Sequence, residues 1–416
     1  MIGGGPAGLI AAGRAAEVGE RVLLVEKNDS LGEKLLLAGK RRCNLTNAES
    51  DMRTFLSRYG ENGRFLHGAF SRFGPRETLG FFNRHGIPTK TERGNRIFPD
   101  LPPAASTQGA QKVLDCLLMY CKKGNVRILR KSAVKTVKIK NGRVERVVTN
   151  IEELAADRYI LATGGKSYPK TGSTGDGYRF AAQAGHAIIE PTPAIVPVKT
   201  HETWVKLARN FNLRNVRLTV TVNGQKVDER FGEMEFTNFG VSGPIVMDLS
   251  AFVSDWMKQG TVNLTLDLKP AMNMPTLLSR IERDFEKYKD REFGRALTDL
   301  LPSALIPLVL NLSDIPEDKP VAYVSSEEQE DLAQLLKNIS LTVNGLWSFD
   351  HAIVTKGGVC LKEVDPATLR SKLCENLYFA GEILDLNGPT GGFNLQICWS
   401  TGYVAGEGIR LKSVVN

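Results

Sequence analysis

The spacing of apolar and polar positions divides the chain into stretches of different character. Gly3 to Gly8 is a glycine-rich turn that runs directly into an alanine-rich helix ending near Gly19, and Arg21 to Glu26 then supplies a compact apolar strand, VLLV. This is a βαβ pattern. Only Met1 and Ile2 stand where a buried parallel first strand would have about five residues, which leads us to expect further residues upstream of Met1. Val126 to Val148 alternates as strands around an Asn141-Gly142 turn, and Tyr159 to Ala162 reads as another buried strand ending in Thr163-Gly164-Gly165. A first domain therefore spans residues 1–190.

The character changes at Pro191 to Pro197. Arg217 to Val222 alternates, turns at Asn223-Gly224 and pairs with a run through Val227, giving a β-rich segment over 191–272 and 339–350. Met274 to Asn311 and Ser325 to Asn338 carry helical periodicity, the second opening with Ser325 and Glu328 at capping-box spacing, so a helical module covers 273–338. From about His351 short strands, glycine turns and a final helix return, consistent with re-entry into the first domain over 351–416. The expected fold class is α/β, with the first domain interrupted by the inserted segments.

At 416 residues the chain exceeds the usual single-core limit. Hydrophobic content of 42% and charged content of 24% are those of a globular protein, and the longest apolar stretch, Ala304 to Leu312, is broken by Pro307 and too short for a bilayer. No export signal is recognisable at the start, so a cytoplasmic location is expected. Cys43, Cys116, Cys121, Cys360, Cys374 and Cys398 have neither disulfide-framework nor metal-ligand spacing, and no metal is expected. The formal charge of +8 admits two readings, attraction of nucleic acid or balance of an anionic cofactor. Lys and Arg are scattered, the tightest group being Lys40, Arg41 and Arg42, and no RNA-binding motif with stacking aromatics is visible. The second reading is preferred.

Gly3, Gly5 and Gly8 form G-x-G-x-x-G: the first glycine permits the tight turn, the second admits a diphosphate to the backbone, and the third lets helix pack on strand. Glu26 ends the next strand, where a carboxylate accepts ribose hydroxyls. The helix N-terminus supplies oriented N–H groups and a partial positive charge. Such a motif binds FAD or NAD, and the C-terminal stretch NLYFAGEILDLNGPTGGFNLQ, Asn376 to Gln396, decides between them. It resembles FAD enzymes of the glutathione-reductase type, in which a strand ending in Ala-Gly-Asp sends its carboxylate to the ribityl chain. Ala380-Gly381-Glu382 is similar, with Glu for Asp. Gly391-Gly392-Phe393-Asn394 opens the last helix, and the resemblance implies that this N-terminus faces the pyrimidine edge of the flavin, where amide N–H groups would stabilise the reduced anion.

Lys34 to Asn47 (KLLLAGKRRCNLTN), Gly94 to Pro99, Leu161 to Arg179, Gly232 to Pro244 and the C-terminal segment together resemble the bacterial NAD(P)/FAD-dependent oxidoreductases that include aminoacetone oxidase and a bile-acid enone reductase. The resemblance covers nearly the whole chain. It implies a Rossmann-type FAD-binding domain, an inserted β-barrel-like domain and a small helical domain. It does not supply a substrate, since the family's activities include amine oxidation and reduction of a conjugated double bond.

Departures from dithiol flavoenzymes narrow the chemistry. Their C-x-x-x-x-C would place a second thiol at Ala48, so Cys43 has no partner and is expected to pack beneath the cofactor. A second G-x-G-x-x-G is missing, so NAD(P)H is expected to visit transiently, with molecular oxygen as the alternative partner. His67, His85, His186, His201 and His351 all lie outside the identifying motifs. Tyr168, Asn44 and Asn394 are the candidate catalytic residues. Of Lys34, Lys40, Arg41 and Arg42, Arg42 is assigned to the site. The candidate cofactor set is Gly3, Gly5, Pro6, Ala7, Gly8, Glu26, Lys27, Arg42, Cys43, Asn44, Val134, Thr163, Gly164, Gly165, Gly381, Glu382, Gly391, Gly392, Phe393 and Asn394. The expected function is hydride exchange between flavin N5 and a small organic substrate held between the Rossmann and β-rich domains. The alternatives are a flavoprotein that acts on or binds RNA, a partner the scattered charge does not favour, and a flavin-binding protein without turnover. No membrane partner is expected, and the oligomeric state is left open.

Overall fold

A computed structural model describes residues 1–408; the last eight residues of the expected C-terminal return, 409–416, lie outside the described residues. The chain divides into two compact units, one of residues 1–193 with the stretch from 349 onward, the other of residues 194–348.

The first unit is built on a parallel sheet. Arg127–Leu129 pairs with Leu23–Val25, which bridges to Ile2, which bridges to Leu161 of Tyr159–Leu161, which pairs with Leu377–Phe379. Ile2 alone carries the first strand's position: its N–H donates to Ile160 O and its carbonyl accepts from Ala162 N, both at 2.9 Å. Apolar side chains buried on both faces suit these short strands to a parallel sheet covered by helices. The Asn141-Gly142 turn forms as expected. Both residues take positive φ, 51° and 69°, the conformation that a two-residue hairpin between Val134–Lys140 and Arg143–Thr149 requires.

Two helices lie against the first helix, Pro6–Glu17, through glycines. A Cβ on Gly402 of the last helix, Phe393–Gly408, would sit 2.5 Å from Ala7 O, and one on Gly406 would sit 2.5 Å from Ala11 O. On another side, a Cβ on Gly13 would fall 2.2 Å from the Tyr120 ring of helix Gly109–Lys123. Backbone meets backbone at Gly402 and Gly406, and backbone meets the Tyr120 ring at Gly13, because these side chains are absent. Trp399 of the last helix is fully buried and donates its indole N–H to Leu45 O at 2.9 Å.

The second unit contains a closed six-stranded antiparallel barrel, in the order Val198–Thr200, Gly240–Ser242, Gln225–Phe236, Asn212–Val222, Val262–Asp267 and Ile339–Leu346. Alternation sets its register: Leu218 faces Leu266, Val220 faces Leu264, and Leu264 faces Leu341. Helices Met274–Lys287, Ile306–Leu312 and Ser326–Lys337 contribute Leu277, Ile281, Leu308 and Leu336 to the same core as the barrel strands. The capping box at Ser325 and Glu328 forms. Helix Pro244–Gln259, inside the stretch read as β-rich, is not foreseen from the alternation. Gly243 at φ 93° turns the chain, Pro244 starts the helix, and Ile245, Val246, Leu249 and Val253 form its buried stripe. No helix among the described residues is long and apolar enough to cross a membrane.

Two glycine substitutions separate packing from propensity. Gly402→Ala gains about 1 kcal/mol of helix propensity but drives a methyl into backbone, and overpacking costs about 1–3 kcal/mol; its urea midpoint is expected to fall. Gly80→Ala, on helix Pro75–Arg84, meets only the flexible tip of Arg84 at 3.2 Å and is expected to raise the midpoint. An unchanged or raised midpoint for Gly402→Ala would contradict this view of the helix contact.

Candidate functional site

Within the first unit a cavity of about 470 Å³ opens at the C-terminal end of the parallel strands, a size within the range of cofactor sites. Its wall includes Gly3 to Ala7, Glu26, Lys34, Thr163, Tyr168, Glu382 and Asn394. A second cavity of about 50 Å³ is bounded by Lys27, Val134, Asp176 and Phe180, with Gly3, Glu26, Thr163 and Gly172 shared between the two.

The three glycines of the first turn have different physical roles. Gly3 sits at φ 103°, a conformation that L side chains rarely adopt. Gly8 lies so close to the turn that a Cβ would be 1.9 Å from Gly3 O, so helix and strand can meet only without it. Gly5 has ordinary extended backbone, and a methyl placed on it would meet nothing within 4 Å; the missing side chain leaves open cavity in front of the helix N-terminus. That opening is where a diphosphate would approach the amide N–H groups.

Glu26 is held in place by backbone. Its Oε2 accepts Gly4 N–H at 2.7 Å and its Oε1 accepts Asn28 N–H at 2.8 Å, leaving lone pairs of both oxygens for a ribose. Lys27 donates to Asp176 at 2.8 Å and Thr174 at 2.6 Å across the smaller cavity. Thr163 Oγ1 is buried with no protein partner, the condition expected of a group that a ligand satisfies. The turn, the fixed carboxylate and this hydroxyl fit the adenosine-diphosphate half of FAD.

Further along the wall Glu382 accepts hydrogen bonds from Lys34 at 2.6 Å, Ser167 at 2.7 Å and Thr355 N–H at 2.8 Å. Burial pushes its carboxyl pKa up, but the Lys34 charge and these hydrogen bonds outweigh burial and hold it below the ordinary value. Cys398, also on the wall, has its thiol pushed up to about 12, by burial first and by Glu382 second.

The remaining expected residues divide into those at the cavity and those behind it. Pro6, Ala7 and Gly164 line it. Tyr168 lines it from a left-handed backbone, φ 52°, unusual for a bulky residue. Asn394 also lines it, yet its amide is engaged at Gly388 N, Gly388 O and Pro389 O, where it clamps the GPTGG turn. Gly391 and Gly392, at φ 113° and 100°, let that turn press on Thr46, where a Cβ on Gly392 would be 2.4 Å from backbone. Phe393 packs with Phe55 and Tyr59 in the core. Gly165 packs on Thr355, and Gly381 on Ala7.

Arg42 and Cys43 are not among the cavity-lining residues. The Arg42 guanidinium donates to Glu92 and lies 4.2 Å from the Phe98 ring centre. Cys43 is fully buried, and burial raises its thiol far above the ordinary range. Asn44 is likewise absent from the lining, and its Oδ1 is buried without a hydrogen-bond partner. Lys34, set aside in favour of Arg42 on sequence, lines the cavity, as does Lys40, and Ser167 and Thr355 were not anticipated. Lys34 and Ser167 lie inside segments that carry the family resemblance, whereas nothing local marks Thr355.

A parallel sheet whose first helix starts on a glycine turn, with a carboxylate closing the next strand, defines a Rossmann-type dinucleotide-binding fold. Residues 1–408 match the family described as HI0933-like protein Rossmann domain, and the chain belongs to that family. It is 34% identical over 411 residues to a 3-dehydro-bile acid delta(4,6)-reductase of Clostridium scindens, covering 98% of this chain and 97% of that protein. It is 30% identical to a ribosomal RNA dihydrouridine synthase of Haemophilus influenzae, covering 97% and 96%. A 3-ketosteroid delta1-dehydrogenase structure from Sterolibacterium denitrificans shares the fold, with a TM-score of 0.51 at 13% identity and 98% of both chains covered. The protein is an FAD-dependent oxidoreductase of this family. The family does not separate small-molecule from nucleic-acid substrates, so the scattered charge is no ground for setting RNA aside.

Gly5→Val fills the open space without strain in the fold. It is expected to keep the far-UV spectrum and weaken FAD binding about a hundredfold, close to 2.8 kcal/mol, in a fluorescence titration. Undiminished affinity would show that the diphosphate does not lie against Gly5.

Proposed function

We propose that the protein reduces a carbon–carbon double bond conjugated with a carbonyl, adding hydride at the β-carbon and a proton at the α-carbon, with NAD(P)H as the transient electron donor. Bound FAD supplies the hydride chemistry. The observation that carries the reading is the pairing of a cavity lined by the glycine turn, Glu26 and Glu382 with two full-length relatives of different substrates but one reaction type. A bile-acid delta(4,6)-reductase saturates a ring enone system, and dihydrouridine is uridine with its carbonyl-conjugated ring double bond saturated.

The chain's own residues have separate tasks. The Gly3–Gly8 turn and Glu26 anchor the nucleotide half, and Lys27 with Asp176 closes the smaller cavity beside it. Asn394 holds the turn before the last helix, which fixes where that helix's N–H groups point. Tyr168, with its hydroxyl-bearing ring at the cavity wall, orients the carbonyl or delivers the proton. Amine oxidation is less well supported, since both named relatives add hydrogen to their substrates.

A second reading, uracil within RNA as the substrate, is favoured by charge. Residues 194–348 carry 17 Lys and Arg against 21 Asp and Glu, a net −4, while the rest of the chain carries 37 against 25, a net +12. Between Lys112 and Arg146 eleven cations face two acids, Asp115 and Glu145. All eleven cations are exposed, and none lines either cavity, so the cofactor does not account for them.

Anaerobic NADH or NADPH is expected to bleach the flavin, and reoxidation then distinguishes the substrates: a 4-ene-3-keto steroid for the first reading, unmodified ribosomal RNA, with dihydrouridine formed, for the second. Tyr168→Phe is expected to slow reoxidation about 10²–10⁴-fold with flavin content unchanged. A flavin bleached only by an amine, with peroxide formed in air, would overturn the reductase.

A further inference from the structure

Lys34, Ser167, Thr355 and Glu382 come from four separate segments and close into one hydrogen-bonded cluster in the cavity wall. Lys34 Nζ donates to Glu382 Oε2 at 2.6 Å and to Ser167 Oγ. Ser167 Oγ donates to Glu382 Oε1 at 2.7 Å, and Thr355 N–H donates to the same oxygen at 2.8 Å. Thr355 Oγ1 accepts from Lys166 N at 2.8 Å and Ser167 N at 3.1 Å, which fixes the Ser167 loop against strand Val354–Val359. The turn that carries Lys34 is tied to the glycine loop through Gly32 N to Gly4 O at 2.9 Å.

The donor and acceptor inventory leaves one position open on each partner, and Lys34 is the more exposed of the two. Glu382 has about four acceptor positions and gives three to protein donors; Lys34 has three N–H donors and gives two. Both side chains line the cavity, 21% and 15% exposed. An ion pair at a largely apolar wall is a poor source of stability compared with apolar packing, so its presence calls for a task. The Lys34 head is held between two acceptors, and its third N–H remains for a ligand.

We propose that Lys34 presents the charge that the cofactor meets here, and that Glu382 is a positioning residue that holds Lys34 in place and neutralises it. This rests on the FAD reading above and departs from the resemblance, which assigns the ribityl contact to Glu382. The pair is neutral as it stands. Removing one member leaves the opposite charge beside a group that gains negative charge on reduction, where low dielectric magnifies the effect. The two single variants must then move the flavin in opposite directions.

The experiment is a potentiometric titration of the flavin in Lys34→Met, Glu382→Gln and the double variant, with FAD affinity measured alongside. Lys34→Met is expected to make reduction harder and Glu382→Gln easier, each by about tenfold in the two-electron equilibrium, about 30 mV. The double variant, again neutral, and Lys34→Arg, which keeps the charge, are expected to stay near the unmodified protein, which also shows that the cluster can be altered without unfolding. Single variants that shift together, or by less than about twofold, overturn this assignment while leaving the FAD reading intact. An unmodified protein that binds no FAD overturns both.

Discussion

The approach of Gly8 to Gly3 O is the constraint on which the rest of the first unit depends. With no side chain between them, the helix Pro6–Glu17 can start directly off the strand end at Ile2, and its unpaired N–H groups then point into the cavity. The same need for bare backbone recurs on the other side of that helix, at Gly402 and Gly406, and again at Gly13 under Tyr120. The helix is gripped by glycine contacts on several faces. Its N-terminus is therefore fixed before any ligand arrives, which is the condition for a preorganised anion site.

From that fixed point the site is assembled by distant segments. Glu26 is set by Gly4 N–H, the Lys34 turn by Gly4 O, and Glu382 by Lys34, Ser167 and Thr355. The chain of contacts links the nucleotide end of the cavity to the part of its wall formed by the C-terminal segment. The Lys34–Glu382 and Lys27–Asp176 pairs balance their charges at the cavities, and a dense run of exposed cations lies elsewhere, on the Lys112–Arg146 stretch.

What the sequence made legible was local. The turn at Gly3 to Gly8, the carboxylate at Glu26 and the two Asn-Gly hairpins depend on residues within a few positions of each other, and each forms. The capping box at Ser325 is of the same kind. Lys34 and Glu382 stand 348 residues apart, and no spacing rule connects them. Arg42 stands out in sequence for its motif neighbours, but Glu92 and Phe98, distant in sequence, hold it away from the cavity. Asn394 lines the wall as expected, though its amide is occupied by the turn it follows, which only the fold reveals. Helix Pro244–Gln259 escapes the pattern because the strands on either side of it dominate the alternation of that stretch.

The central claim is that the cavity between Gly5 and Asn394 is the FAD site, and crystals of the protein grown with FAD test it most directly. Continuous density is expected from the Gly3–Gly8 turn, with the ribose against Glu26, to the turn before the last helix, passing Lys34. Ordered FAD bound at any other place, or a cavity that stays solvent-filled at saturating FAD, would contradict the account.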